Sequence, residues 1–275
     1  MKSIAFGQYY PAESIVHRMD PRVKIILTIL YIICSFLCKN IWSFALLLLS
    51  ALLLIAFGKI PFRVVFRGLR PILFILAFTA IINIFWTQGT AGTALVDFYF
   101  IHIYAEGIYA AIFIMIRISA LIIGTGIFMT YTTTPIALTD AIEDLLSPLK
   151  KLHVPVHDFA MMMTIALRFI PTLVEETDKI MTAQKARGAD FSSGGLIQRA
   201  KALIPVLIPL FASAFNRAGD LAIAMECRCY HGGEGRTRMT VRHIHIRDII
   251  ALLFVIILGV TLVLLNIWGF GYSMP

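Results

Sequence analysis

Charge is what this chain has least of. Asp, Glu, Lys and Arg make up 15% of its 275 residues, where a soluble domain carries about 25%. Hydrophobic residues make up 59% and mean hydropathy is +0.84, which argues against an ordinary soluble domain and for a membrane protein. Cysteine is scarce too. Cys34 and Cys38 fall in an apolar run, Cys227 and Cys229 in a basic stretch, and together they make no disulfide framework. A removable signal peptide is not expected, because Met1-Lys2-Ser3-Ile4 continues into polar and aromatic residues without a short apolar core or a small-residue cleavage site. No phosphate-binding Gly-x-x-x-x-Gly-Lys loop occurs. Gly232-Gly233-Glu234-Gly235-Arg236 lacks both the lysine and a preceding strand, so the chain is not expected to bind ATP itself.

Two function classes lose ground on further absences. An integral-membrane enzyme acting on lipid or isoprenoid substrates would cluster carboxylates for metal ions near the membrane face, and no Asp-rich repeat is found. A self-sufficient permease would spread polar residues through its spans. Beyond Asn83, Arg117 and a few Ser and Thr they are rare. Both remain as alternatives.

What the chain does have is long apolar runs. Crossing about 30 Å of hydrocarbon takes roughly 20 residues. Five segments qualify, at about 22–38, 41–58, 69–87, 106–130 and 247–268. Asp20 can cap the first of them and Pro21 suits its first turn. Trp42, Trp86 and Trp268 fall at predicted span ends, as interfacial aromatics do.

The net charge of +8 is unevenly placed. Lys2, Arg18, Arg22 and Lys24 precede or open the first span, only Lys39 lies between the first two, and Lys59, Arg63, Arg67 and Arg70 lie between the second and third. Segment 87–105 and the tail after Trp268 have no Lys or Arg, whereas 131–247 has fourteen. The positive-inside rule then puts the N-terminus inside and the C-terminus outside. Nucleic acid is not an expected partner, because the basic residues flank apolar runs instead of forming a soluble patch.

Segment 131–246 reads as cytoplasmic or interfacial. Its apolar run 203–215 offers 13 residues, roughly 20 Å of helix and too short to cross, and 159–174 carries Arg168 near its middle. Three helices are expected. The first covers about 135–149, capped by Thr134 and ended at Pro148, with Leu138, Ile142, Leu145 and Leu149 on its apolar face and Asp140, Glu143 and Asp144 on its wet face. The second covers about 158–187, kinked at Pro171 and stopped by Gly188. The third covers about 196–228, bent at Pro205 and Pro209 and followed by Gly232 and Gly233. Two long, mostly apolar helices of this kind call for a partner surface to cover them. Ala214, Ala218 and Ala222 form a small-residue stripe on the third, which suits either close packing within the chain or the approach of another helix. The expected organisation is therefore an all-α membrane protein: 1–130 with four spans, 131–246 with coupling helices, and 247–275 with the last span and an external tail.

Each long helix ends on an arginine between small residues, Ala186-Arg187-Gly188 and Cys227-Arg228-Cys229. A cation at a helix C-terminus gains about 0.3–1 kcal/mol from the dipole. That explains a basic residue at each end without explaining the repeated setting. An arginine at a tip can also enter a groove and grip a carboxylate with two parallel bonds.

With these motifs in view the chain resembles the T component of energy-coupling factor transporters, their transmembrane coupling subunit, in its shared-module form. Phe6-Gly7-Gln8-Tyr9-Tyr10-Pro11, with Ser14, His17 and Asp20-Pro21-Arg22, is similar to the family's start. Leu167-Arg168-Phe169-Ile170-Pro171, with Glu175 and Glu176, resembles its long coupling helix. Ala186-Arg187-Gly188 matches the first Ala-Arg-Gly motif, and Met225-Glu226-Cys227-Arg228-Cys229-Tyr230 the second, with cysteine in place of the usual flanking small residues. The resemblance implies a non-catalytic subunit without cofactors, set in a bacterial cell membrane. Its implied partners are two cytoplasmic ATPases, each taking one tip in a groove, and an exchangeable small membrane subunit that captures a vitamin or similar micronutrient.

Cys227, Cys229, His231, His243 and His245 could suggest zinc, but C-x-C breaks the usual ligand spacing and Arg228 is a poor neighbour for a cation, so no metal is expected. Arg117, near the middle of the fourth span, is a functional hypothesis by default. Its plainer reading is a buried contact to a backbone carbonyl or to the Asp97–Glu106 region.

Overall fold

A computed structural model of the chain describes residues 9–86, 94–98, 101–152, 154–191, 193, 195–232 and 243–268. Phe6, Gly7, Gln8, the Gly233–Arg236 run and Ser273 lie outside these. Among the described residues the chain is all-α apart from one small hairpin: α1 Pro21–Leu37, α2 Ile41–Gly58, α3 Phe62–Trp86, β1 Ala94–Phe98, β2 Ile101–Tyr104, α4 Ala105–Thr125, α5 Pro135–Leu145, α6 Val156–Ala186, α7 Leu196–Cys227 and α8 Ile246–Ile267. It divides into two compact units, Met1–Leu138 with Val241–Pro275, and Thr139–Thr240.

The first unit is a helical bundle. Its central element is α1, whose Leu27 and Tyr31 are fully buried and which packs on α4 and α8. Asp20 caps α1 by accepting from Arg22 N at 2.9 Å. At 17 residues α1 is the shortest of the expected spans, about 25 Å long.

Polar contacts pin both ends of α1. At its start, buried Lys24 donates from Nζ to Thr132 O at 2.8 Å and to the hydroxyls of Thr132 and Thr133 at 3.2 and 3.3 Å. Asp248 in the first turn of α8 accepts from the backbone N of Asp20 at 3.2 Å and of His245 at 2.8 Å. At the other end, Asn266 of α8 accepts from Ser43 Oγ at 3.0 Å and donates to Leu37 O. Arg117 donates to Cys38 O at 2.8 Å and lies 5.2 Å over the Phe44 ring, which stacks on Phe113. The intramembrane arginine is thus a carbonyl contact that closes the C-terminus of α1.

Two expectations are corrected here. The third span does not begin at residue 69. The helix starts at Phe62 and runs through Pro71, so Arg63, Arg67 and Arg70 sit on its first turns and not in a loop. Segment 87–105 also contains structure, because its β-branched and aromatic run pairs as an antiparallel hairpin with Asp97 opposite His102 and Phe98 opposite Ile101.

α4 continues into a π-helical stretch, Gly126–Tyr131. The freed turn is held by Thr132 and Thr133, whose hydroxyls donate to the carbonyls of Ile127 and Phe128 at 2.8–3.1 Å. Gly124 lies against the Tyr31 ring so closely that a Cβ there would overlap it.

In the second unit, α6 and α7 are 31 and 32 residues long, about 46 and 48 Å. α7 matches the helix expected over 196–228, with Pro205 and Pro209 inside it. Pro209 has no N–H for the Pro205 carbonyl four residues earlier, and Gln184 of α6 donates to that carbonyl at a long 3.5 Å. The third correction is that, by length and composition, α7 joins α2, α3, α4 and α8 as one of five helices among the described residues able to cross a membrane, and α1 is not one of them. The fourth correction concerns α5. Ile142 and Leu149 are exposed, while Glu143, assigned to the wet face, is half-buried against His157 Nδ1 at 3.1 Å.

Overpacking a filled core typically costs about 1–3 kcal/mol. Gly124→Ala should therefore lower the thermal midpoint of the purified protein. Gly126→Ala, whose Cβ would meet Tyr131 Cε2 at 3.0 Å, should lower it less, and Tyr31→Leu should recover part of the Gly124→Ala loss. Thermal unfolding in detergent measures all three.

Candidate functional site

Both arginine tips are built by the same backbone motif. At the end of α6, Arg187 is the C-cap residue, Gly188 N donates to Lys185 O at 3.0 Å and Ala189 N to Gln184 O at 3.0 Å. At the end of α7, Arg228 is the C-cap, Cys229 N donates to Glu226 O at 2.9 Å and Tyr230 N to Met225 O at 3.1 Å. Each is a Schellman closure, which needs the residue after the cap in the left-handed region. Gly188 has φ +88° there and Cys229 has φ +54°. The second tip thus places a side-chain-bearing residue where glycine is at ease, at a steric cost of about 1–2 kcal/mol. Nothing in the letter Cys marks such a position, so this element was not readable beforehand.

Both arginines are exposed, and among the described residues neither guanidinium has a hydrogen bond or ion pair. Ala186 and Cys227 precede them as the last helical residues, also exposed. Cys227 and Cys229 are free thiols. His231 Nδ1 contacts Cys229 O at 2.9 Å, and among the described residues no group of three or more His, Cys, Asp or Glu is placed to hold a metal ion.

Gln184 against Pro205 and Glu176 against Arg217, at 3.1 Å, set α6 and α7 antiparallel. The two tips therefore point to opposite ends of the pair. Taking the Glu176–Arg217 pair as the register and 1.5 Å per residue, they are roughly 33 Å apart along the pair. Between them lies an apolar groove of about 260 Å³. The stripe of Ala214, Ala218 and Ala222 forms one wall, and Ile165, Phe169 and Leu173 of α6 form the other. The stripe thus faces a neighbouring helix of its own chain without closing on it. Residues 165, 169 and 173 recur every four positions, a helical spacing visible in the sequence.

Helices of membrane-crossing length in the first unit and an antiparallel pair in the second define a multi-pass membrane protein. The profile of the CbiQ family, described as cobalt transport protein, matches residues 12–239. The chain is 57% identical over 239 residues to the energy-coupling factor transporter transmembrane protein EcfT of Ruminiclostridium cellulolyticum, covering 87% of this chain and 88% of that one. It is 49% identical over 268 residues to the EcfT of Clostridium kluyveri, covering 98% of each, and 49% identical over 238 residues to that of Bacillus subtilis, covering 86% and 89%. The chain belongs to the EcfT family, the transmembrane components of energy-coupling factor transporters.

Gly188 has no atom within 4 Å of where a Cβ would lie, so a substitution there is opposed by the backbone alone. Gly188→Val should speed amide exchange at residues 187–189 by roughly 5- to 30-fold. Cys229→Gly should leave exchange at 228–230 unchanged or slower. Hydrogen exchange followed by mass spectrometry reads both.

Proposed function

We propose that the chain is the non-catalytic coupling subunit of an importer, linking two cytoplasmic ATPases to a small substrate-capturing membrane subunit. The observation that carries this reading is the repeated tip: an exposed, unengaged arginine at the C-cap of each of two long antiparallel helices. Guanidinium groups displayed this way suit a carboxylate at the floor of a partner groove, which they can grip with two parallel bonds. Arg187 and Arg228 would each dock one ATPase, with Ala186, Gly188, Cys227 and Cys229 giving the close approach. The groove between α6 and α7 would receive a helix of the substrate subunit along Ala214, Ala218 and Ala222, where small residues favour close contact. Division into a spanning part, 1–130 and 247–275, and a cytoplasmic coupling part, 131–246, belongs to the same proposal.

Removing one side of a buried, paired contact typically costs about 2–5 kcal/mol. Arg187→Ala and Arg228→Ala should each reduce vitamin uptake and ATPase pull-down, and the double variant should lower ATPase affinity by roughly 30-fold or more. Arg→Lys should rescue poorly. Wild-type uptake and ATPase retention in the double variant would overturn the assignment.

The orientation follows from the fourteen Lys and Arg of 131–247 and makes α7 cytoplasmic despite its length. In a background without Cys227 and Cys229, Ser193→Cys should react with a membrane-impermeant maleimide only after permeabilisation, while Ser273→Cys should react from outside. External labelling at 193 would mean that α7 crosses.

A further inference from the structure

The first unit carries a second feature that the tips do not explain. Where α2 ends and α8 begins, a cleft of about 390 Å³ opens beside the segment that leads into α1. That volume is in the range of a small-ligand site. Arg18, Lys59 and Arg247 line it, with Glu13 as the sole carboxylate, paired with Arg18 at 3.0 Å. Among the described residues the side chains of Lys59 and Arg247 have no hydrogen bond or ion pair.

Neither placement is favourable on local grounds. Arg247 sits in the first turn of α8, where the helix dipole opposes a cation. Lys59 is held in the left-handed region at φ 50° by bonds from its N–H to Ala56 O and Ile55 O. Two uncompensated cations converging on one concavity are complementary to an anion.

The rest of the wall says which kind. Ile15, Ala56 and Phe57 line the cleft, and Ile15 and Phe57 are 56% and 52% exposed. From Phe57 the face continues one turn along α2 to Leu53, and from Arg247 along α8 to Ile250 and Phe254, all exposed. Both helices are of membrane-crossing length. A soluble phosphate would use the cations and leave this apolar track bare, whereas a phospholipid would use both. We propose that the cleft binds the phosphodiester head group of an anionic phospholipid between Lys59 and Arg247, with its acyl chains along α2 and α8.

The test uses the full chain in the complex with which it purifies, placed in nanodiscs of phosphatidylcholine containing phosphatidylglycerol. Native mass spectrometry then counts the phosphatidylglycerol that stays bound. A cation in direct contact with the head group is worth roughly fivefold in its binding, so Lys59→Gln with Arg247→Gln should reduce retention by about 25-fold. The charge-preserving pair Lys59→Arg with Arg247→Lys should stay within about twofold of wild type. Arg63→Gln with Arg67→Gln removes equal charge outside the cleft and should change retention little. Exchanging chloride for inorganic phosphate at equal ionic strength should not release the lipid. Three results would overturn the proposal: unchanged retention in the Gln pair, equal loss in the Arg63/Arg67 pair, or selective displacement by phosphate, which would mark a site for a soluble anion. Loss in the charge-preserving pair, with a wild-type elution volume, would also overturn it.

Discussion

Lys24 lies inside the bundle with 1% of its surface exposed, and the fold around it is organised by the need to satisfy that ammonium. Its acceptors come from Thr132 and Thr133, more than one hundred residues away along the chain. Asp248, also 1% exposed, ties the start of α1 to the start of α8 across a still longer separation. A buried charge is tolerable only when paired and hydrogen-bonded, and stripping one partner from such a group costs about 3–5 kcal/mol. Apolar packing alone would let membrane helices slide, because lipid and leucine are nearly equivalent neighbours. The polar clamp at one end of α1, with Arg117, Asn266 and Ser43 at the other, sets its depth against α4 and α8.

The π-helical stretch belongs to the same arrangement. Widening the turn over Gly126–Tyr131 frees backbone carbonyls, and the two threonines that serve Lys24 also serve those carbonyls. One pair of hydroxyl-bearing residues thereby meets two needs.

Much of this was legible from residues, and the illegible parts share a cause. The cap at Asp20, the Thr134 start of α5 and the Gly188 stop of α6 are local chemistry and could be read directly. The extent of α7 could be read as well, but not what meets the carbonyl stranded by Pro209, because Gln184 comes from another helix. The pairing of Glu143 with His157 reversed the apparent wet face of α5 for the same reason. Cys229 in a left-handed turn is a backbone choice that its side chain gives no hint of. At the candidate site the two arginines stood out by repetition, while the facing wall of the groove depended on how two helices cross.

The ion pair between Glu176 and Arg217 holds α6 against α7 midway between the tips. Eleven residues separate Glu176 from Arg187, and eleven separate Arg217 from Arg228. At 1.5 Å per residue each tip stands about 17 Å from the pair, in opposite directions. The pair is thus a fulcrum with arms of equal length. Equal parallel forces at the two arginines would exert equal and opposite torques about the pair, turning the helices against one another like scissor blades.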